Sequence, residues 1–169
     1  FLSIPHQLIV RDRDVLTGQK LQQGQKLQFG DATMKILSPE PGTEGTNPNE
    51  EGLVMELCYG KFRGLFTGDI GEETEKKLLP RLDDVDFLKV GHHGSRYSSC
   101  QEFLDRIQPE AAVISCSESN TYGHPSPETI KRLEQNGIKT MYTMKSGAVT
   151  VSTDGGHMWL ETFCDGKTA

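Results

Sequence analysis

Carboxylate and imidazole side chains follow three short apolar runs in this sequence of 169 residues. Asp69 comes directly after GLFTG, and the adjacent His92 and His93 stand in LKVGHHGS. His124 stands in YGHPSPE, behind the run AAVISC. Carboxylate oxygens together with imidazole nitrogens suit zinc, manganese or iron. These four residues are therefore the candidate metal ligands and catalytic groups.

Each of these residues also has a purely structural interpretation. An isolated His-His pair is most often a surface loop pair, Asp69 could be a helix N-cap, and His124 could be a turn residue before Pro125. Hydroxyls near the pair favour local capping over catalysis, Tyr122 favours packing, and an acidic run favours a solvated helix face. The hydroxyl residues are Ser95, Tyr97, Ser98 and Ser99, and the acidic run is Glu72, Glu73 and Glu75.

Apolar periodicity and turn residues predict the elements that position these side chains. Residues 53–60 and 61–69 form a hairpin about Gly60-Lys61, and strands 85–90, 111–116 and 138–143 alternate with helices 71–79, 99–107 and 126–137. Ser99 and Glu102 have capping-box spacing, and Ser126 is the predicted N-cap before Pro127. Crossovers of this kind join parallel strands, whose carboxyl ends share one sheet edge. The candidate residues therefore converge at the edge where α/β sheets bind ligands.

Composition limits the remaining possibilities. The length fits one domain, and two closing strands are predicted at 148–153 and 157–163. The net charge of −6 argues against a strongly basic nucleic-acid surface. The four cysteines form no C-x-x-C pair, and Cys58 and Cys116 are predicted to be buried. We expect residues 1–30 to be an irregular lead-in with a turn at Gly30-Asp31, and residues 40–52 to be a mobile loop.

The motifs LFTGDI, LKVGHHGS and YGHPSPE together resemble the C-terminal half of metallo-β-lactamase-fold hydrolases, in the same order and at similar spacing. The match is closest to the C-terminal domain of ComEC-type DNA-internalisation competence proteins. The resemblance covers residues from about 30 to 164. It implies an α/β fold, namely half of an αβ/βα sandwich, with a mixed sheet, helices on one face and a metal site at the edge between two sheets.

The resemblance also implies roles for the candidate residues. Asp69 would be the bridging carboxylate, and His93 would be the ligand of the last motif. His92 would be a second ligand or a residue that supports a ligand. His124 would hold the scissile phosphate or protonate the leaving group. The divalent metal would be zinc or manganese, with two ions in the intact domain.

One family motif is absent, because no H-x-H-x-D-H sequence occurs in this chain, and an Asn-rich turn of the family reads NPNEEG here. We therefore expect a single partial domain that begins after the first sheet of the fold. On its own such a chain would be inactive. It would need the missing N-terminal half of the domain, and it could form a homo-oligomer through the apolar face exposed by that loss.

The function implied by the resemblance is that of a metal-dependent phosphodiesterase or nuclease acting on DNA during competence-type DNA uptake. One alternative is hydrolysis of a small phosphodiester such as a choline-type phosphoester. Another is a non-catalytic structural or binding module of a larger membrane protein. The chain would be a soluble domain whose parent is a bacterial cell-membrane protein with this domain on the exterior face, or alternatively a cytoplasmic one.

Overall fold

A seven-stranded mixed sheet is the main element of the computed structural model, which describes residues 21–42 and 52–164. Its strands follow chain order from β1 to β7. The first four pair antiparallel: β1 (Lys26–Phe29), β2 (Ala32–Ser38), β3 (Val54–Tyr59) and β4 (Phe62–Phe66). The tight connection at Gly60-Lys61 places β4 beside β3, as the hairpin signal predicts.

The second half of the sheet is parallel. Strands β4 to β7 pair in parallel, and helices make the crossovers between them. The further elements are β5 (Phe87–Lys89), β6 (Ala111–Ile114), β7 (Lys139–Tyr142), α1 (Glu72–Leu78), α2 (Gln101–Ile107) and α3 (Pro127–Gln135). The predicted alternation of strand and helix is thus confirmed, and the carboxyl ends of β4, β5 and β6 lie side by side.

Apolar side chains cover both faces of the sheet, but the helices cover only one. Leu78, Phe103 and Leu133 of the three helices pack in one core cluster with Leu65 and Leu88 of the sheet. The opposite cluster contains Phe62, Phe87, Val113 and Leu160 and no helical residue. Leu160 belongs to a separate hairpin, β8 (Val149–Thr153) with β9 (Met158–Thr162), which pairs antiparallel. The expected mixed sheet with helices on one face is confirmed.

Several local predictions need correction. Helix α2 begins at Gln101 after Cys100 without a side-chain cap, so the Ser99–Glu102 capping box is wrong. A short helix, α4 (Thr143–Ser146), starts where a strand residue was predicted. Cys58 and Cys116 are half-buried rather than buried. Ser126, by contrast, caps α3 as predicted, because its side chain accepts a hydrogen bond from the Thr129 amide.

The predicted irregular lead-in and mobile loop fall largely on residues that the structure does not describe. Residues 1–20 and 43–51 lie outside the described part. Within it, residues 26–29 form β1, so the irregular lead-in does not extend to residue 30, and the predicted turn at Gly30-Asp31 is present. No helix in the described ranges is long and apolar enough to cross a membrane.

Candidate metal centre

Backbone hydrogen bonds fasten the three strand-end loops to one another. The His92 amide donates to the Gly68 carbonyl at 2.9 Å, which joins the loop after β5 to the loop after β4. The Ser126 amide donates to the Gly94 carbonyl at 2.8 Å, which joins the start of α3 to the same turn. The relative positions of Asp69, His93 and His124 are therefore set by the main chain rather than by flexible side chains.

Asp69 and His93 face one another across this junction. The distance from Asp69 Oδ1 to His93 Nε2 is 4.0 Å, and both side chains are more than half exposed. His93 Nδ1 lies 2.8 Å from the Ser115 carbonyl, which can only accept, so Nδ1 carries the proton. A neutral His93 then directs the lone pair of Nε2 towards the Asp69 carboxylate. This pattern, a ring N–H held by a carbonyl with the other nitrogen free, is typical of metal-binding histidines.

The two adjacent histidines sit in a left-handed turn and not at the end of an extended strand. Their φ angles are 47° at His92 and 53° at His93, a region that costs energy for residues with a side chain. Strand alternation therefore does not separate their directions. The separation arises in the turn itself, since the His92 ring lies edge-on to the His124 ring with 5.7 Å between centroids. His92 thus contacts His124, whereas His93 faces Asp69.

His124 is half-buried between neighbouring side chains, and its Nδ1 is buried without a hydrogen-bond partner in the described structure. Burial lowers the pKa of His124, and electrostatic interactions with His92, His93 and Arg96 lower it further. Asn120 holds the His124 backbone, since its side chain accepts from the amide at 2.9 Å and donates to the carbonyl at 2.7 Å. Asn120 is not among the residues predicted for the site, although its position four residues before His124 in the same loop is a signal for this contact.

Tyr122 was predicted to pack, but its side chain is 81% exposed. Its ring stacks on the His124 ring, with 6.0 Å between centroids and an angle of 18° between planes. Both rings line a cavity of about 470 Å³ beside the Asp69–His93 pair. The other lining residues are His93, Ser115, Cys116, Ser117, Asn120 and Thr143. The cavity therefore starts at His93 and runs along the loop after β6.

A buried carboxylate that the sequence analysis assigned to a solvated face supports the histidine turn from behind. Glu75 is fully buried, and it accepts hydrogen bonds from the Ser99 amide at 2.5 Å and the Cys100 amide at 2.9 Å. Arg132 donates to the Ser98 and Ser99 carbonyls at 2.9 and 2.8 Å. Charged groups on α1 and α3 thus hold the segment that follows the histidines. Glu72 and Glu73 do lie on the exposed face of α1, as predicted.

The structural interpretations of Asp69 and Ser98 have opposite outcomes. The N-cap of α1 is Gly71, and no side chain caps this helix, so the N-cap interpretation of Asp69 is wrong. Ser98 forms local hydrogen bonds to the Gly91 and Ser95 carbonyls, as the capping interpretation predicts. Gly94 lies against Pro125, because a Cβ at this position would lie 2.7 Å from Pro125 Cβ.

The donors brought together here fit part of a divalent-metal site. Zinc binds carboxylate oxygen and imidazole nitrogen at about 2.0–2.2 Å, so two atoms 4.0 Å apart can share one ion. In the described ranges no third histidine, cysteine, aspartate or glutamate offers a ligand atom within 4.8 Å of both. The close trio that does occur, Glu72, Cys100 and Glu102, lies elsewhere and already holds the Lys76 ammonium. Asp69 and His93 therefore offer two donor atoms, which is fewer than a metal site needs.

Comparison with known proteins links the chain to bacterial competence. No protein-family model matches the sequence. The chain is 32% identical over 133 residues to ComE operon protein 3 of Bacillus subtilis, covering 78% of the chain and 17% of the relative. It is 31% identical over 128 residues to competence protein ComA of Neisseria gonorrhoeae, covering 74% and 18%. Recombination protein 2 of Haemophilus influenzae is 31% identical over 118 residues, covering 70% and 15%.

The chain spans less than a fifth of the length of these relatives. Among solved structures, a candidate metal-dependent hydrolase from Parabacteroides distasonis superposes with a TM-score of 0.51 at 15% identity. That match covers 75% of this chain and 58% of the other, and it concerns the fold alone. The chain is therefore a homologue of one segment of the ComEC-type competence proteins, and it shares its α/β fold with a candidate metal-dependent hydrolase.

Proposed function

We propose that this chain forms part of a metal-dependent phosphodiesterase that cleaves DNA during competence-type DNA uptake. The observation that carries the proposal is the Asp69–His93 pair, a carboxylate and a lone-pair imidazole nitrogen 4.0 Å apart at the carboxyl edge of the parallel strands. The competence relatives supply the biological setting. Asp69 and His93 would hold a zinc or manganese ion, with His92 as a supporting neighbour and further ligands, including those of a second ion, from outside the described residues.

A divalent ion held by Asp69 and His93 would supply a nucleophile at neutral pH and would neutralise phosphate charge. The chain's own residues would orient the substrate around that ion. The Ser115 carbonyl keeps His93 in the tautomer that leaves Nε2 free. His124, whose pKa burial lowers, is a neutral imidazole near pH 7 and can donate one hydrogen bond. A neutral ring favours holding a phosphate oxygen over protonating a leaving group.

The cavity lined by Tyr122 and His124 would receive the part of the substrate next to the scissile phosphate. The outer face of Tyr122 is open to solvent, and aromatic faces of this kind stack on nucleobases. Asn120 and Thr143 already use their polar atoms on the local backbone. Stacking of this kind binds a base with little sequence preference, which suits a nuclease of broad sequence range.

The test compares substrates on the full-length protein with zinc or manganese added, and with a chelator. The substrates are a single-stranded DNA oligonucleotide, bis(4-nitrophenyl) phosphate and glycerophosphocholine. We expect metal-dependent cleavage of the first two, lost in Asp69→Asn and retained in Asp31→Asn, a control on the exposed turn before β2. Cleavage of glycerophosphocholine alone would favour the small-diester alternative. No hydrolysis by the metal-loaded wild type would favour a non-catalytic binding module.

A further inference from the structure

One charged side chain lies where the sheet is otherwise apolar. Lys89 is the last residue of β5 and projects on the same face as Phe87, two residues earlier. Its partners in register are Phe66 on β4 and Val113 on β6, both members of the apolar cluster on that face. Lysine is almost never buried without a partner, and burial lowers the pKa of Lys89. This half-buried cation is therefore an anomaly that needs a reason.

The immediate surroundings do not neutralise the Lys89 charge. Its Nζ donates to the Val90 carbonyl at 3.0 Å, and an ammonium group has three donors. Within the described residues it forms no ion pair. The strand register places Lys89 between the ends of β4 and β6. The Asp69 carboxylate and Cys116 act on it electrostatically and raise its pKa against the lowering by burial. It therefore lies between the candidate metal ligand and the cavity that Cys116 lines.

We propose that Lys89 is a substrate-binding residue that holds an anionic oxygen of the phosphate at the carboxyl edge of the sheet. The inference rests on the proposed phosphodiesterase function for its ligand, but the anion site itself follows from the geometry. If Asp69 is a metal ligand, its charge is shared with the ion, and Lys89 needs another anion as partner. A phosphate beside Asp69 and His93 supplies that partner, and the desolvated ammonium strengthens the attraction.

A different explanation is that Lys89 only positions Asp69. In that case loss of the ammonium would disturb metal binding first, and substrate binding would fall as a consequence. A third explanation is that the aliphatic stem merely covers Phe66 and Val113 while the charge has no role. Lys89→Met keeps the stem and removes the charge, whereas Lys89→Arg keeps the charge on a longer side chain. Lys139→Met changes an exposed lysine on β7 and serves as the matched control.

The experiment measures inorganic phosphate binding by calorimetry and diester hydrolysis on the same preparations of full-length protein, with bound metal counted for each variant. We expect Lys89→Met to weaken phosphate binding at least tenfold and to raise KM for bis(4-nitrophenyl) phosphate, with metal content unchanged. Lys89→Arg should retain part of the affinity, and Lys139→Met should match the wild type. A thermal unfolding curve for each variant identifies misfolded protein, and Lys89→Gln replaces Lys89→Met if the latter does not fold.

The outcomes separate this inference from the proposed function. Equal phosphate affinity and equal KM in Lys89→Met and wild type would overturn the assignment of Lys89 and leave the phosphodiesterase standing. Loss of metal together with phosphate binding would also overturn it, in favour of a positioning role. If the wild type hydrolyses no phosphodiester but binds phosphate in a Lys89-dependent way, the anion site stands and the proposed function fails.

Discussion

At the scale of single residues, the two adjacent histidines are not equivalent. A left-handed turn points the His93 ring at Asp69 and the His92 ring at His124. A family pattern alone could assign the ligand role to His93, but only the turn geometry gives that assignment a physical cause. The Ser115 carbonyl, which fixes the His93 tautomer, belongs to the residue that follows β6 and has no signal in the sequence.

We predict that His93→Ala empties the metal site of the full-length protein, whereas His92→Ala keeps the metal. Removal of a ligand abolishes binding, while loss of a residue that supports a ligand costs about 10–100-fold in affinity or activity. Metal content by elemental analysis and diester hydrolysis are measured on both variants. The assignment is reversed if His92→Ala loses the metal and His93→Ala retains metal and activity.

Substitution of Tyr122 distinguishes a nucleic-acid substrate from a small one. We predict that Tyr122→Ala raises KM for a single-stranded oligonucleotide by roughly 5- to 100-fold, because stacking on one base contributes about 1–3 kcal/mol. Tyr122→Phe should behave as wild type. Tyr97→Ala is the control, since Tyr97 is 70% exposed but does not line the cavity. Similar KM changes for Tyr122→Ala and Tyr97→Ala would contradict a stacking role.

At the scale of elements, the turn after β5 and the start of α3 fit closely because Gly94 has no side chain. Its φ is +80°, and an added Cβ would meet Pro125 Cβ at 2.7 Å. We predict that Gly94→Ala lowers the free energy of unfolding by about 2–5 kcal/mol, the sum of left-handed strain and overpacking. Gly123→Ala also carries a positive φ but meets no atom within 4 Å, so it should lose only about 1–2 kcal/mol. Equal losses in urea unfolding would show that the contact with Pro125 has no effect.

Glu75 and Glu73, both on α1, contribute to the free energy of unfolding with opposite dependence on pH. Burial raises the pKa of Glu75 above 4.5, so the folded state binds its proton more tightly than the unfolded chain. Its contribution to stability therefore falls as pH rises from 4.5 through the higher folded pKa. The hydrogen bond from Lys77 lowers the pKa of Glu73. The contribution of Glu73 to stability is therefore present above pH 4.5 and is lost as pH falls through the lower folded pKa.

We predict that the stability difference between wild type and Glu75→Gln shifts in favour of wild type as pH is lowered from 7 towards 4.5. The difference between wild type and Glu73→Gln should shift the other way at the acid end of the titration, and weakly, because Glu73 is exposed. Urea unfolding midpoints measured from pH 7 to below pH 4.5 test both. A Glu75 difference that is flat with pH would mean that the carboxylate is not desolvated in the folded protein.

At the scale of the whole molecule, the sheet and its crossovers could be predicted from the sequence because their signals are local. Apolar runs of four to six residues separated by helical segments predict parallel strands, and Ser126 with Pro127 marks one helix start directly. Features that depend on contacts between distant segments could not be predicted. Glu75 looks like any acidic residue in a first helical turn, yet it is fully buried and accepts hydrogen bonds from the Ser99 and Cys100 amides before α2.

For the candidate site, too, the features with local sequence signals could be predicted and those that depend on distant contacts could not. The convergence of Asp69, His93 and His124 follows from strand topology, so it could be predicted. The role of Lys89 depends on which face of the sheet it occupies, and that of Tyr122 on which side of its loop it occupies. No apolar–polar alternation in the sequence indicates either placement. Lys89 ends the three-residue strand β5, whose other two residues are buried. Its half-burial could be recognised only from its register partners on β4 and β6.

The central claim is that Asp69 and His93 hold the same ion. A double-mutant cycle on zinc affinity of the full-length protein tests it most directly, with Asp69→Ala, His93→Ala and the combined variant. If both side chains bind one ion, each single change removes most of the affinity, and the double variant binds no more weakly than the weaker single variant. Losses that simply add, or single variants that bind zinc as well as wild type, would contradict a shared metal centre.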